Sequence, residues 1–276
     1  MGDLSIIDFY SLPVVLVEVL ATTGVKLANA TAFCIEHGGK HFLVTNWHNV
    51  AGREPFTGEL KGPIRPERLR IHYRSYEDEN LQGEDLREEE LYDDSQPRWL
   101  EPKNQVVRRP AEGVNLRVDV ALLEIRNPPT QLVSLPWTQN TFFHVKPGEV
   151  LQLIGFPLGK SNTGRLPIWL TGHVATDFAG QRGHQFFLVD ARTREGMSGA
   201  LVLHRTSGAS FSKPGGWLGV DGSVSYVMGI YSGRLAIESD IGIVWHWEVI
   251  QEALEWTTSS PVSKVSSSDL PCVPAS

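Results

Sequence analysis

Short segments in which apolar and polar residues alternate run along most of the chain. Examples are KHFLVTNW, RLRIHYR, VLQLIGF and QFFLVDA, which are rich in valine, leucine, isoleucine and phenylalanine. Alternation with a period of two puts every second side chain on one face, and this pattern is typical of a half-buried β-strand. The sequence therefore predicts a protein built mainly from short strands.

Glycine and proline pairs separate these segments and favour tight turns over helical crossovers. They occur in HGGK, NPP, KPGE and KPGGW, where such residues are typical of hairpin connections. A chain of this length with short strands packs most easily as two β-barrels or as a pair of sandwiches. Only Trp247 to Trp256, WEVIQEALEW, has apolar residues at helical spacing, and we expect one helix there.

Composition and charge limit the classes of partner. The 276 residues are 41% hydrophobic and carry a formal net charge of -7, so the chain provides no overall positive field for nucleic acid or an anionic membrane. The apolar N-terminus contains Asp3, Asp8 and Glu18, which do not fit a signal peptide, and no stretch has the length of a transmembrane helix. Two cysteines, Cys34 and Cys272, are too few for a disulfide framework and fit a reducing, cytoplasmic compartment.

Two segments differ in composition from the predicted strands. Residues 77–94 carry ten acidic residues and one arginine, and this run predicts a solvated insertion rather than a barrel strand. Residues 257–276 are rich in serine, proline and threonine with almost no apolar pattern, and we expect a disordered tail.

Ser198 lies between two glycines in REGMSGALV, ahead of an apolar segment. A serine hydroxyl is a poor nucleophile unless a base takes its proton and an acid orients that base. His48 ends the run FLVTNWH and Asp119 begins DVALLEI, so both side chains would be held at the end of a rigid β element. The chain order of His48, Asp119 and Ser198 is the order used by catalytic triads in double β-barrels.

These residues and their surroundings resemble trypsin-like (chymotrypsin-fold) serine peptidases, in the bacterial branch that includes the HtrA-type proteases. The resemblance implies an all-β fold of two six-stranded-type antiparallel β-barrels with a C-terminal helix. It also implies that His48 is the general base, Asp119 orients it and Ser198 is the nucleophile, while the backbone N–H groups of Gly196 and Ser198 form the oxyanion hole. The segments that carry it are FLVTNWHNV, VDVALLEI, LQLIGFPLG, FLVDARTREGMSGALV and MGIYSGR.

On this basis we divide the chain into two predicted barrels. Residues 1–126 would form the N-terminal barrel, which carries the histidine and the aspartate and contains the acidic insertion near residues 77–94. Residues 131–256 would form the C-terminal barrel, which carries the serine and ends in the helix. Unlike the HtrA-type proteases, the chain is expected to contain no PDZ domain.

The resemblance also assigns a substrate pocket and shows where the chain departs from its relatives. Met197 stands where digestive relatives have an aspartate, and Ala200 stands where they have a second glycine. Arg192 stands six residues before the serine, where enzymes that cut after lysine or arginine have an aspartate. A cation there disfavours basic substrate side chains, so small or medium uncharged residues are expected before the scissile bond and acidic residues come second. The pocket residues implied are Arg192, Thr193, Tyr231, Ser232 and Gly233.

Other functions have less support in the sequence. Asp240 and His246 follow Ser198 in the order of an α/β-hydrolase, but the residues after the serine have the pattern of a strand and not of a helix. The chain has no HExxH motif and no closely spaced cysteine pair, so we expect neither a metal nor a cofactor. The predicted function is a serine endopeptidase acting on polypeptides; the alternative is a catalytically silent protease fold that binds peptides. An activating partner is compatible with either function.

Overall fold

The computed structural model describes residues 2–3, 7–77, 80–109, 114–136, 145–162, 165–177, 185–207, 210–213, 216–219, 223–236 and 238–259. These residues form two antiparallel β units followed by a helix, as the all-β prediction requires. The predicted fold class is therefore confirmed.

The N-terminal unit is a nine-stranded sheet. Its hydrogen-bonded order is β1-β6-β5-β2-β3-β4-β12-β9, and β13 pairs with β3 in parallel. Two further hairpins, β7–β8 and β10–β11, flank this sheet. The elements are β1 Gly2–Asp3, β2 Val14–Leu20, β3 Lys26–His37, β4 Lys40–Thr45, α1 Trp47–Ala51, β5 Arg68–Glu77, β6 Asn80–Glu90, β7 Tyr92–Asp93, β8 Gln96–Pro97, β9 Trp99–Leu100, β10 Val106–Arg109, β11 Val114–Arg117, β12 Ala121–Glu124 and β13 Leu135–Pro136.

The C-terminal unit is a closed six-stranded barrel in the order β14-β15-β16-β21-β20-β17. A hairpin, β18–β19, lies outside this barrel, and α2 continues directly from its last strand. The elements are β14 Val150–Gly155, β15 Ile168–Val174, β16 Phe186–Asp190, β17 Leu201–Ser207, β18 Ser210–Lys213, β19 Gly216–Gly219, β20 Ser223–Arg234, β21 Ile241–His246 and α2 Trp247–Ser259. Short 3-10 turns span Phe9–Ser11 and Pro157–Gly159.

Strand alternation distributes the apolar side chains among three cores. In β3, Ala32 and Cys34 belong to the core of the N-terminal unit, whereas Phe33 and Ile35 face the opposite way. That opposite face packs against residues of the barrel, including Trp245, in a core shared by both units and α2. A strand buried on both faces holds two cores together, so the two units pack against each other through continuous apolar contact.

The segment before β2 is fastened to the barrel. Arg205 donates to both carboxylate oxygens of Asp8, at 2.7 and 3.1 Å, and its guanidinium lies over the rings of Tyr10 and Trp169. The indole N–H of Trp169 donates to the Ser11 hydroxyl at 2.8 Å. Residues from Asp8 onward are therefore part of the fold.

The prediction of a solvated insertion over residues 77–94 is wrong. Residues 80–90 form strand β6, which pairs with β5 from Arg68↔Glu90 to Glu77↔Asn80. Cross-strand arginines pair with part of the acidic run, since both Arg68 and Arg70 donate to Glu88. Leu91, which follows β6, is fully buried in the N-terminal core.

The helix predicted over Trp247 to Trp256 is present and extends further, to Ser259. The predicted tail begins at residue 257, so its first three residues are helical, and residues 260–276 lie outside the described residues together with Cys272. Cys34 is a free thiol in the core, where burial raises its pKa to about 12. No helix in the described part of the chain is long and apolar enough to cross a membrane.

Replacing Glu89 tests whether β6 is structural. Its buried carboxylate pairs with Arg98 at 3.2 Å and accepts the backbone N–H of Arg126 at 3.0 Å. Glu89→Gln removes the charge that balances a buried arginine, so we expect the free energy of unfolding in urea to fall by about 3 kcal/mol. The matched control is Glu90→Gln, because the side chain of Glu90 is exposed. Equal effects of the two substitutions would contradict a structural role for the strand.

Candidate active site

His48 lies in helix α1, immediately after β4, and not on a strand as its apolar approach suggested. The first turn of a helix has backbone N–H groups without intrahelical acceptors. Asp119 satisfies one of them, because its Oδ1 accepts the backbone N–H of His48 at 2.8 Å. Its Oδ2 lies 2.7 Å from Nδ1 of the His48 ring. One carboxylate therefore fixes both the backbone and the ring of the histidine.

Asp119 lies just before β12, as the sequence predicted, and is completely buried. Burial opposes its ionisation. The charge of His48 and the hydrogen bonds from His48 and the Ser232 hydroxyl outweigh that effect and hold the pKa of Asp119 below its ordinary value. An ionised Asp119 makes Nδ1 of His48 a hydrogen-bond donor, so Nε2 of the neutral ring is left as an acceptor.

Ser198 lies in the turn before β17, and its side chain lines the same cleft as His48. Its hydroxyl donates to the backbone carbonyl of Ser232 at 2.9 Å. Among the described residues, no hydrogen bond joins this hydroxyl to the His48 ring.

The backbone of the turn presents two N–H groups that are free of acceptors. The carbonyl of Glu195 accepts from Leu158 N at 2.5 Å, and the carbonyl of Met197 accepts from Ala200 N at 2.9 Å. The N–H of a trans peptide points away from its carbonyl. The N–H groups of Gly196 and Ser198 therefore point the other way, and neither has an acceptor among the described residues.

Thr31 of β3 holds this turn from the N-terminal unit, and the sequence gave no indication of it. Its hydroxyl donates to the carbonyl of Gly196 at 2.6 Å and accepts the N–H of Phe156 at 3.0 Å. Its own N–H donates to the carbonyl of Ser198 at 2.8 Å. A Cβ on Gly199 would lie 1.8 Å from the Thr31 carbonyl oxygen, so only glycine fits there. A threonine at the start of an apolar run has no local feature that would reveal these distant partners.

The five expected pocket residues occupy different environments. Thr193 and Tyr231 are buried and line the cleft beside Ser198, with their hydroxyls 2.6 Å apart. Ser232 and Gly233 also line it, although the Ser232 hydroxyl donates to Asp119 and so supports the histidine as well. Arg192 is exposed and is not among the residues that line the cleft.

Arg194 and Arg234 line this side of the cleft together with Lys61, Glu54 and Glu195, so it carries charges of both signs. Arg194 donates to the backbone carbonyl of Thr193 at 2.7 Å, which holds its guanidinium beside the pocket residues. Among the described residues, no group of three His, Cys, Asp or Glu side chains is arranged to hold a metal ion.

Comparison with known proteins identifies the family of the chain. Residues 30–209, more than half of the chain, match the family model described as a trypsin-like peptidase domain. The chain belongs to the trypsin-like peptidase family. The prediction of a trypsin-like serine peptidase is thereby confirmed. No sequence among the curated proteins matches this trypsin-like peptidase.

Three solved protease structures show some similarity to this chain. The active form of the Rv3671c protease from M. tuberculosis is 17% identical, with 92% of this chain and 85% of that chain covered and a TM-score of 0.45. The serine endoprotease from Yersinia pestis is 15% identical, with coverages of 91% and 66% and a TM-score of 0.48. The thermostable serine protease AL20 from an extremophilic microorganism is 11% identical, with coverages of 92% and 100% and a TM-score of 0.47.

Thr31→Val tests the support of the turn. Valine has nearly the same shape as threonine, but the substitution leaves the buried carbonyl of Gly196 and the N–H of Phe156 without their partner. We expect the free energy of unfolding in urea to fall by about 2–4 kcal/mol. Thr171→Val on the exposed face of β15 is the matched control and should change it by less than about 0.5 kcal/mol. A Thr31 variant as stable as its control would show that the bonds to the turn contribute nothing.

Proposed function

We propose that the protein is a serine endopeptidase that cleaves polypeptides through His48, Asp119 and Ser198 by way of an acyl-enzyme. One observation carries the proposal. The buried carboxylate of Asp119 binds Nδ1 of His48, and the same cleft contains Ser198 together with two N–H groups that have no acceptor in the part of the chain that the structure describes. A base, a nucleophile and donors for a developing negative charge are what acyl transfer requires.

Acylation would begin when the Ser198 hydroxyl leaves the carbonyl of Ser232 and turns to Nε2 of His48. His48 takes the hydroxyl proton as Ser198 Oγ bonds to the scissile carbonyl carbon, and the carbonyl oxygen becomes an oxyanion. The N–H groups of Gly196 and Ser198 would bind that oxyanion, and each such donor is worth about 3–4 kcal/mol of transition-state stabilisation. His48 then gives the proton to the leaving amine as the C–N bond breaks.

Deacylation would repeat these steps with water. His48 takes a proton from the water as it attacks the ester, and then returns the proton to Ser198 Oγ when the acid product leaves. Asp119 stays ionised throughout, because its hydrogen bonds favour the charged form, and it stabilises the imidazolium that forms twice in each cycle. No step of this cycle requires a cofactor.

The acyl side of the cleft supports selection of small or medium uncharged residues before the scissile bond. A Cβ on Gly242 would lie 2.4 Å from the Tyr231 ring, so this ring occupies the space that glycine leaves open. The Tyr231 hydroxyl is bonded to Thr193, which fixes the ring in place.

The setting of the reaction is also part of the proposal. The substrate is a polypeptide that enters the cleft in extended form, and the cytoplasm is the proposed compartment. The free thiol of Cys34 in the core supports a reducing compartment.

Ser198→Ala tests the nucleophile. The substitution removes one oxygen at the cleft surface, so the protein should stay folded while turnover of peptide substrates falls by roughly 10⁴ to 10⁶. A fluorophosphonate should label the wild type and fail to label this variant, as measured by the mass of the intact protein. His48→Ala should lose turnover to a similar extent. Undiminished turnover in the Ser198 variant would end the proposal, and binding of peptides without any turnover in the wild type would favour the silent alternative.

A pair of substitutions at Tyr231 tests the pocket. Tyr231→Ala should open space beside Gly242 and raise kcat/KM for peptides with phenylalanine before the scissile bond by about tenfold relative to alanine. Tyr231→Phe keeps the ring, removes the bond to Thr193, and should retain the wild-type order of preference. Profiling with a peptide library decides the result. Dominant cleavage after lysine or arginine by the wild type would contradict the pocket assignment and leave the triad proposal intact.

A further inference from the structure

The cleft continues on the other side of Ser198 as a groove of about 700 Å³. This leaving-side groove contains His48, Gly196 and Ser198, so it opens directly onto the proposed reacting centre. Its walls come from the start of β3, from the segment that precedes β5 and from the turn after β14. Its lining includes the apolar side chains of Leu27, Ile64 and Leu158 and the charged side chains of Lys26, Lys61 and Glu195.

Three large apolar side chains project into this groove and remain in contact with solvent. Leu27 is 36% exposed, Ile64 is 51% exposed and Leu158 is 57% exposed. Single exposed apolar residues are ordinary on protein surfaces, but a group that lines one groove beside a reacting centre indicates a binding surface.

The conformation of Leu158 is an independent sign of function. Its backbone lies in the left-handed region, with φ 56° and ψ 24°, which is unfavourable for a bulky side chain. Burial does not repay that strain, because most of the side chain is exposed. Strained residues are kept where the surrounding structure needs them, and clusters of them occur at binding sites. The N–H of Leu158 also holds the carbonyl of Glu195, so this residue is part of the support of the proposed oxyanion hole.

The charges around the groove disfavour an acidic occupant. Lys26 is paired with Glu18 at 3.2 Å, and Lys61 lies 3.9 Å from Glu54. Glu195 is exposed and has no ion-pair partner among the described residues. An acidic side chain entering the groove would therefore meet paired lysines and an unpaired carboxylate, and like charges disfavour it.

The position of the groove identifies which part of a substrate enters it. A polypeptide that is cut at Ser198 has its acyl half on one side of the serine and its amine half on the other. The side with Thr193 and Tyr231 is assigned to the acyl half, so the opposite side receives the residues after the scissile bond.

We propose that the leaving-side groove binds the residues just after the scissile bond and selects large apolar side chains there. This inference rests on the proposed endopeptidase function and adds a second specificity to it. Substrates would then carry a small residue before the cut and an apolar residue such as leucine in the first or second position after it. The preference would come from the favourable free energy of burying the apolar surface of such a side chain away from water.

Quenched fluorescent peptides with one fixed acyl half test the inference. The first two residues after the scissile bond are varied together among leucine, serine and glutamate, and kcat/KM is measured for the wild type. We expect leucine to exceed serine by roughly tenfold, with glutamate lowest. A second measurement needs no variant. The acyl-enzyme is divided between attack by water and attack by added leucinamide or serinamide, and leucinamide should be the better acceptor.

Two variants connect the preference to the groove. Ile64→Ser and Leu158→Ser should each lower the leucine-to-serine ratio at least threefold. Leu86→Ser is the matched control, since Leu86 is 53% exposed on β6 and does not line the groove, and it should keep the wild-type ratio. Melting temperatures are recorded for all three.

The outcomes separate this inference from the function on which it rests. If a fluorophosphonate fails to label Ser198 in the wild type, the endopeptidase proposal and this inference both fall. If labelling occurs and the leucine-to-serine ratio is close to one, only this inference falls. It also falls if the groove variants leave the ratio unchanged and melt at a temperature well below that of Leu86→Ser. Ile64 and Leu158 would then stabilise the fold and not contact the substrate.

Discussion

The bonds of Thr31 to the turn that carries Ser198 join the two β units at the point where the chemistry would occur. Thr31 belongs to the N-terminal sheet, whereas Gly196 and Ser198 precede the first residue of a barrel strand. The hydroxyl and the N–H of one buried residue thus fix two carbonyls of a turn that has no regular secondary structure. Buried polar groups without partners are costly, so these bonds allow only one arrangement of the turn.

That arrangement determines the electrostatics of the cleft. With the carbonyls of Glu195 and Met197 held by Leu158 N and Ala200 N, the N–H groups of Gly196 and Ser198 point the other way, as the proposed oxyanion hole requires. Donors that are fixed before the reaction do not have to reorganise when negative charge develops, and this is the main advantage of a preformed site. The same principle applies to His48, whose ring and backbone are held by a single carboxylate.

The two proposed sides of the cleft differ in the burial of their side chains. Tyr231 is buried and bonded to Thr193, which would give the proposed acyl side a rigid wall. Leu158 and Ile64 are exposed, so the proposed leaving side would gain apolar contact from a substrate. Because Leu158 N also holds the carbonyl of Glu195, contact on the leaving side and support of the proposed oxyanion hole involve one residue.

The sequence by itself determined the β class, the terminal helix, the family and the candidate triad. These follow from local patterns: alternation, glycine–proline turns, and the order of His48, Asp119 and Ser198. Only the tertiary structure revealed Thr31, the bond from Ser232 to Asp119, and the strand within the acidic run. Each depends on a partner far along the chain, as when Arg68 and Arg70 face Glu88 across a hairpin and pair with a charge that composition treats as solvated. Local patterns fix which elements form, but hydrogen bonds and ion pairs between distant residues exist only once the chain has folded.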